Sequence, residues 1–583
     1  MIRTYPEKAF RALCETMHPV LARVYASRGI DSRDEIECGL DALIPFHELK
    51  NAVEMGKILC DAIAEKKRIL IVADYDSDGA TACAVGLLAL SEMGADVDYI
   101  VPNRFEFGYG LTPEIVRLAA KSRPDLIVTV DNGIASIEGV AEAKRLGIPV
   151  LVTDHHLPGE MLPDALCIVN PNQPGCPFPS KHLAGVGVMF YVMASLRAEI
   201  RKHGARVPNL ASLLDLVALG TIADVVKLDK NNRILVSNGL KRIREGRANP
   251  GVAALLSVAK RNPGKASSFD LGFMLGPRLN AAGRLEDMSL GIACLSSRDY
   301  FSSYEMAKKL DDLNSERKAI ESRMKDEAFA ILENIADEPG CSISLFDETW
   351  HQGVIGILAS RIREKYHRPA FAFARGNEGE IKGSGRSIPG LHIRDALDLV
   401  SKRHPGLILK FGGHAMAAGL TLKEKDFHAF EDAFEETASD LLSDADLERV
   451  IETDGFLEEE ALSLDLARAI ESQVWGQGFP EPAFEGIFEV IDQKIVGEKH
   501  LRLKLRCGGQ VWDAMRFFHA EFLPGRIHAV YSLAVNEFRE STSLQLVIRH
   551  CFPVIPEGED PFFSAVRPEP SSRERRNSAF PAP

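Results

Sequence analysis

Ten cysteines are scattered through the 583 residues, and none forms a C-x-x-C pair. That spacing excludes a zinc ribbon. A disulfide framework is equally unsupported in a long chain with no secretory leader. The opening MIRTYPEKAFRALCETMHPV has no apolar core of the kind a signal peptide needs. No apolar run is long enough to span a bilayer, so a cytoplasmic location and no membrane partner are the default expectations. Positive charge is also short. Lys and Arg number 69 against 83 Asp and Glu, a formal net charge of -14. Taken alone this disfavours nonspecific nucleic-acid binding. It does not decide the partner, because acidic metal sites carry negative charge themselves and a groove can be basic on an acidic protein. A hydrophobic content of 45% and a charged content of 26% are those of an ordinary globular protein with length for several domains.

Against that background residues 68–85, RILIVADYDSDGATACAV, stand out. An apolar, β-branched run reads as a buried strand. Asp74, Asp76 and Asp78 follow at alternating positions, and an Ala- and Leu-rich helix is expected over 81–93. Three carboxylates at one strand end repel unless a cation neutralises them. A solvated Asp-rich turn capping the helix is the other reading of the same residues.

The alternation continues with strands at 96–101, 125–130 and 149–153 and helices at 112–121 and 135–146, which predicts βαβ units and a mostly parallel sheet. Ligands of such sheets sit beyond the carboxyl ends of the strands, where this chain carries DYDSD, DNG and DHH. The acids and histidines gathered there are Asp74, Asp76, Asp78, Asp131, Asp154, His155 and His156, with Asp224 after an apolar helix and a Gly220-Thr221 turn. Asp224 reads equally well as a cap. Mixed carboxylate and imidazole donors suit Mn²⁺, with Mg²⁺ as competitor. So many acids suggest two ions, an arrangement suited to phosphodiester hydrolysis, with Asp76 or Asp78 able to bridge them.

Further along, GPRLNAAGR reads as a loop with two arginines, and residues 304–335 read as one long helix. A second α/β region at 341–442 carries three Gly-rich turns in WHQGVIGILASRI, KGSGRSI and FGGHAMAAG, which suggest backbone amides offered to an anion. Short β-like runs over 449–554 suggest a small barrel with Trp512, Arg516, Phe517 and Phe518 suited to bases and phosphates, although any one aromatic can equally be barrel core.

DYDSDG, DNG, DHH and GTIADVV resemble the motifs of the DHH phosphoesterases. PNRFEFGYG, GPRLNAAGR, KGSGRS and GGHAMAAG narrow the resemblance to the RecJ single-stranded-DNA-specific exonucleases. The resemblance implies a multidomain α/β fold: a parallel-sheet DHH domain and an α/β DHH-associated domain joined by a long helix, plus a C-terminal OB-fold β-barrel. The expected boundaries are residues 1–51 for a helical extension, 52–303 for the DHH domain, 304–338 for the connecting helix, 339–445 for the DHH-associated domain, 449–555 for the OB-fold and 556–583 for a disordered tail.

The activity implied is 5′-to-3′ degradation of single-stranded DNA to mononucleotides in recombination and repair, by a monomer using two divalent ions, Mn²⁺ or Mg²⁺. A helicase and a single-strand-binding protein are candidate partners. Carried over by motif, Asp76, Asp78, Asp131, His155 and Asp224 resemble metal ligands, and Asp74 and His156 resemble further catalytic groups. Arg104, Ser384 and Arg386 resemble a pocket for the 5′ end; Arg278, Arg284 and His414 resemble DNA or phosphate contacts. Longer members carry an extra C-terminal domain, whose partner contacts are not expected here. The alternatives are a DHH phosphoesterase acting on short oligonucleotides, cyclic dinucleotides or pyrophosphate, against which a terminal barrel argues, and a silent scaffold, against which the retained acids and histidines argue.

Overall fold

The computed structural model describes residues 1–102, 110–334, 340–377, 379–538 and 541–554. Arg104 and the tail from residue 556 lie outside them. The chain forms two compact units. One comprises Ile30–Ile451 with Ser472–Glu481; the other comprises Met1–Gly29, Glu452–Glu471 and the chain from Pro482 onward.

The larger unit holds two sheets. The first is all parallel, in the order β2-β1-β3-β4-β5, with β1 Arg68–Ala73, β2 Asp96–Ile100, β3 Leu126–Val130, β4 Val150–Thr153 and β5 Cys167–Val169. Helices cover both faces, so the inner strands are unbroken apolar runs. Leu70, Val72, Ile127, Val150 and Val152 face one core, while Ile69, Ile71, Val128 and Leu151 are fully buried on the other side. The edge strand β2, DVDYI, is the partly exposed one. Strand order reverses between β1 and β3, the position at which such sheets bind ligands.

Register then does what composition alone cannot. Ala73 pairs with Val130, and Val130 with Thr153. The next residues, Asp74, Asp131 and Asp154, therefore emerge side by side on one rim. Their amides extend the ladder: Asp74 N donates to Val130 O, Asp131 N to Thr153 O and Asp154 N to Val169 O.

Two expectations are corrected in this region. GPRLNAAGR is a helix, Gly276–Leu285, not a loop; Pro277 sits at its first turn, where a missing N–H costs nothing. It follows a π-helix, Asp270–Leu275. Gly220 and Thr221 lie inside the helix Leu214–Ala223 rather than in a turn, because Gly220 packs against Thr81 and Asp78, where a side chain has no room.

A 35-residue helix, Tyr300–Asn334, is about 50 Å long. It begins four residues before the expected start because Asp299 caps it, accepting from Ser302 N at 2.7 Å. Arg317 and Arg361 both bind Glu321 (2.6 and 2.8 Å), and Trp350 Nε1 donates to Glu327, which ties the second sheet's helix Ile355–Tyr366 to this shaft. That sheet runs β6-β7-β8-β10-β9, with β6 Ile343–Phe346, β7 Ala370–Arg375, β8 Glu380–Arg386, β9 Lys410–Gly413 and β10 Ala417–Lys423. KGSGR is strand, not turn. Side chains at Gly383 and Gly385 would run into the rings of Phe373 and Phe371, so these glycines serve aromatic packing, and Ser384 and Arg386 alternate onto the opposite face.

The smaller unit is a closed five-stranded barrel in the order β11-β12-β13-β15-β14, with β11 Phe484–Val496, β12 His500–Cys507, β13 Gln510–Arg516, β14 Arg526–Phe538 and β15 Ser541–Pro553. Phe484, Phe488, Tyr531 and the alternate residues Leu501, Leu503 and Leu505 fill it. The N-terminal helices Glu7–Cys14 and Pro19–Ala26 belong to this unit. Arg28 grips Asp454 with two hydrogen bonds, 2.7 and 3.1 Å, and both side chains are almost fully buried. Arg3 and Ala483 N also donate to that carboxylate. Breaking a buried pair strands the remaining charge. Asp454→Ala is therefore expected to destabilise this unit by about 3–5 kcal/mol, read as a separate early transition in calorimetry; an unchanged trace would remove the pair from its stability.

Candidate active site and metal centre

The rim acids are held by the backbone around them. Asp76 caps the helix Ser77–Glu92: its Oδ1 accepts from Asp78 N at 2.9 Å and Gly79 N at 3.0 Å. Capping and ligation are thus compatible in one residue, since Oδ2 takes no part in the cap. Asp78 is fully buried, with Oδ2 accepting from Gly185 N at 2.6 Å and Oδ1 from Val186 N at 2.8 Å. Asp131 adopts a left-handed conformation, φ 62°, uncommon outside Gly, Asn and Asp. Asn132 Nδ2 stitches the ends of β1 and β3 by donating to Val72 O and Val130 O.

In the DHH turn Asp154 is the organiser. Its Oδ1 accepts from His155 N and His156 N and lies 2.7 Å from His156 Nδ1, while Oδ2 accepts from Ile134 N. Asn172 and Asn170 fasten the His155 and His156 carbonyls from beyond β5. His155 turns inward. Its Nε2 lies 3.1 Å from Asp131 Oδ1, 3.5 Å from Asp224 Oδ2 and 3.9 Å from Asp78 Oδ2. Asp74, Asp76 and Asp131 form a second convergent set, with one oxygen from each within 4.8 Å of the others. Asp131 belongs to both sets.

The electrostatics separate the two histidines. Burial, then the neighbouring His156 charge, lowers His155 to about 4, so its ring is neutral near pH 7. The Leu183 backbone opposes that shift but does not outweigh it. Burial disfavours the charged form of His156 too, but the Asp154 hydrogen bond and charge prevail and raise it to about 9. Burial first, then neighbouring carboxylates, pushes Asp78 up to about 7 and Asp131 and Asp224 well above the usual range.

Donor set and electrostatics fit a divalent cation. His155 Nε2 and Asp224 Oδ2 are buried and have no hydrogen-bond partner among the described residues. They lie 3.5 Å apart in a gap lined with carboxylates whose mutual repulsion a bound cation would relieve.

The other side of the cleft comes from the second sheet. His414, between β9 and β10, stacks on His156 with ring centroids 6.1 Å apart and planes at 27°. Arg386 Nη1 donates to Ser384 Oγ at 3.1 Å, and both border Gly356 at the start of the helix Ile355–Tyr366. Arg284 reaches Gly353 O at 3.3 Å. Arg278 is committed elsewhere: buried, it binds Asp311 of the long helix at 2.8 Å and Met274 O. Trp512 and Arg516 lie on β13 of the separate barrel unit. Trp512 is half-buried, and Arg516 Nη1 lies 2.9 Å from Cys551 Sγ and 3.2 Å from His519 Nε2. Phe517 and Phe518 are exposed, at 48% and 86%, and the His500 ring sits edge-on to both.

Asp154, already named among the rim acids, acts through His156. Two uncharged contributors escape a motif reading that looks for charge. Asn280, inside GPRLNAAGR, accepts from Ser77 N and Ser77 Oγ and so pins the Asp-rich turn. Gly283 lies so close to Tyr75 O that any side chain would overlap it. The signal for both was present in the quoted motif, as an Asn and a Gly at fixed spacing from the arginines.

Comparison with known proteins agrees with this geometry. Residues 68–221 match the profile of the DHH family, N-terminal domain, residues 339–440 the DHHA1 domain and residues 453–550 the RecJ OB domain. The chain is 49% identical to the single-stranded-DNA-specific exonuclease RecJ of Dickeya dadantii over 93% of its own length and 97% of the relative's. It is 47% identical to that of Escherichia coli, over 92% and 96%. Among solved structures, RecJ from Thermus thermophilus in complex with Mn²⁺ superposes with a TM-score of 0.81 at 28% identity, covering 95% of this chain and 79% of that one. An exonuclease RecJ bound to manganese superposes at 0.58 with 34% identity, covering 68% and 96%. With a half-identical relative matched almost end to end, and all three domains in order, the chain belongs to the RecJ family of DHH proteins.

Proposed function

We propose that this protein is a metal-dependent exonuclease specific for single-stranded DNA, degrading it from the 5′ end to mononucleotides in recombination and repair. The observation that carries the reading is the double convergence of carboxylates and His155 on one sheet rim, faced by His156 and His414. The names of the relatives supply the substrate class.

Asp78, Asp131, His155 and Asp224 are the donors for one divalent ion, and Asp74, Asp76 and Asp131 for a second, Mn²⁺ or Mg²⁺. Asp131 would then contribute to both. Bound ions supply acidification of the attacking water and neutralisation of charge on the phosphate. His156, held protonated through Asp154, presents its remaining N–H to the phosphate or to the departing oxygen. His414 stacks on that ring and limits where it can turn. Ser384 and Arg386, with Arg104, are the anion receptor for the 5′ end. The barrel's exposed aromatics, with Trp512 and Arg516, are the surface for further nucleotides. A helicase and a single-strand-binding protein remain candidate partners, and Arg278 serves the domain junction rather than DNA.

A time course on 5′- and 3′-labelled single strands, beside duplex DNA and RNA, tests this with Mn²⁺, Mg²⁺ or chelator. Early release of labelled mononucleotide from the 5′ end alone, abolished by chelator, is expected. Hydrolysis confined to dinucleotides or cyclic dinucleotides would replace the reading with that of a short-substrate phosphoesterase. Arg386→Ala should reduce discrimination between 5′-phosphorylated and 5′-hydroxyl strands by about tenfold, the worth of one charge-assisted contact. Unchanged end preference would remove Arg386 from the receptor.

A further inference from the structure

Residues 184–186, Ala-Gly-Val, carry no ionisable group, yet they meet two of the three carboxylates around His155 Nε2. Gly185 N and Val186 N bind the two oxygens of Asp78 at 2.6 and 2.8 Å. The Cα of Gly185 lies against Asp131, so closely that an added Cβ would sit 2.6 Å from Oδ1, 2.7 Å from Cβ and 2.8 Å from Cγ. These residues open the 18-residue helix Gly185–Lys202, whose N-cap, Ala184, provides no side-chain cap. Helix starts leave amides without intrahelical partners. Here Asp78, from another helix, accepts two of them, and its charge suits the positive end of the helix.

We infer that this turn is the positioning element of the metal centre and that Gly185 is its critical residue, fixing Asp78 and Asp131 at once without touching substrate or cation. The inference rests on the metal-site reading above. The dependence on glycine is steric: Asp131 is fully buried behind the rim and its backbone is fixed by the β4 ladder, so neither partner can yield without moving a carboxylate. Gly187, two residues on, provides the contrast. Its added Cβ would be as crowded, 2.5 Å from Leu183 Cδ1, but against the end of a flexible apolar side chain.

The test is Mn²⁺ titration calorimetry on the full chain as wild type, Gly185→Ala and Gly187→Ala, with thermal unfolding in chelator beside it. Wild type should bind Mn²⁺. Gly185→Ala should bind at least about tenfold more weakly, the range for losing a group that orients a ligand, and Gly187→Ala should bind as wild type. Equal binding by Gly185→Ala, or an equal loss in Gly187→Ala, would overturn the inference. Absence of Mn²⁺ binding by wild type would instead remove the metal-site reading itself, and this inference with it. Should Gly185→Ala fold poorly, Asp131→Gly supplies the second arm, because it deletes all three crowding atoms and suits the positive φ. Gly185→Ala should then lower the melting temperature in chelator in the wild-type background but not in Asp131→Gly; equal drops in both would refute the contact as the cause.

Discussion

Asp131→Asn is expected to reduce hydrolysis on the order of a thousandfold or more and, at the same time, to raise the melting temperature of the metal-free protein. The activity loss follows from its place in both donor sets. Removing a group that merely orients a metal ligand costs about 10–100-fold, and a shared ligand serves two ions. The stability gain follows from repulsion. Burial, then the Asp78 and Asp76 charges, lifts the Asp131 carboxyl well above its ordinary 3.8. A carboxyl raised on folding supports the native state below its unfolded pKa, and that support is lost as pH rises through the folded value. The gain from Asn, isosteric and tolerant of φ 62°, should therefore be larger at pH 8 than at pH 5. Mn²⁺ should stabilise the variant much less than wild type, since stabilisation scales with the logarithm of ligand concentration over Kd. A folded variant turning over within tenfold of wild type would remove Asp131 from the mechanism.

The second large effect concerns the barrel. Phe517→Ala with Phe518→Ala should weaken binding to long single strands by at least about tenfold, given about 1–3 kcal/mol per stacked base, and leave hydrolysis of dinucleotides unchanged. An equal effect on both substrates would show that these rings do not serve the longer strand. Substitution is the cleaner test, because truncation from residue 449 removes more than the barrel. Residues 472–481 belong to the catalytic unit, where Gln477 O accepts from Leu228 N and the Arg233 guanidinium lies 4.5 Å over Phe479. Leu228 closes the segment that begins at Asp224.

The sheet was legible because its strands are buried on both faces, so LIVTV and RILIVA read as strands without help. Most of the acids and histidines were legible because they lie at or just beyond the ends of such runs, whereas Asp224 follows a helix. What sequence could not supply was register, which turns three scattered motifs into one rim, and the close packing of Gly185 and Gly283 against the rim residues. Glycine misled in both directions. Gly383 and Gly385 suggested an anion nest and instead make room for phenylalanines. Gly185 sat in an unremarked apolar stretch. GPRLNAAGR looked like a loop because of its Gly, Pro and Asn residues, which are poor helix formers, yet Asn280 and Gly283 are held in a helix by the Asp-rich turn they grip. Arg278 was carried over by motif as a DNA or phosphate contact; its ion pair with Asp311 is visible only once the long helix is placed.

The Arg28–Asp454 pair spans 426 residues of sequence, which has a consequence during synthesis. Helices Glu7–Cys14 and Pro19–Ala26 are synthesised long before any strand of the barrel. They carry Leu13, Ala22 and Val24, all fully buried in the finished unit, with nothing of their own to cover them. The intervening catalytic unit can fold while they wait, as domains fold in order of emergence, but the smaller unit closes only once Ser541–Pro553 has been made. A lesion in either helix would then appear as a late assembly defect of the barrel, with chemistry at the rim intact.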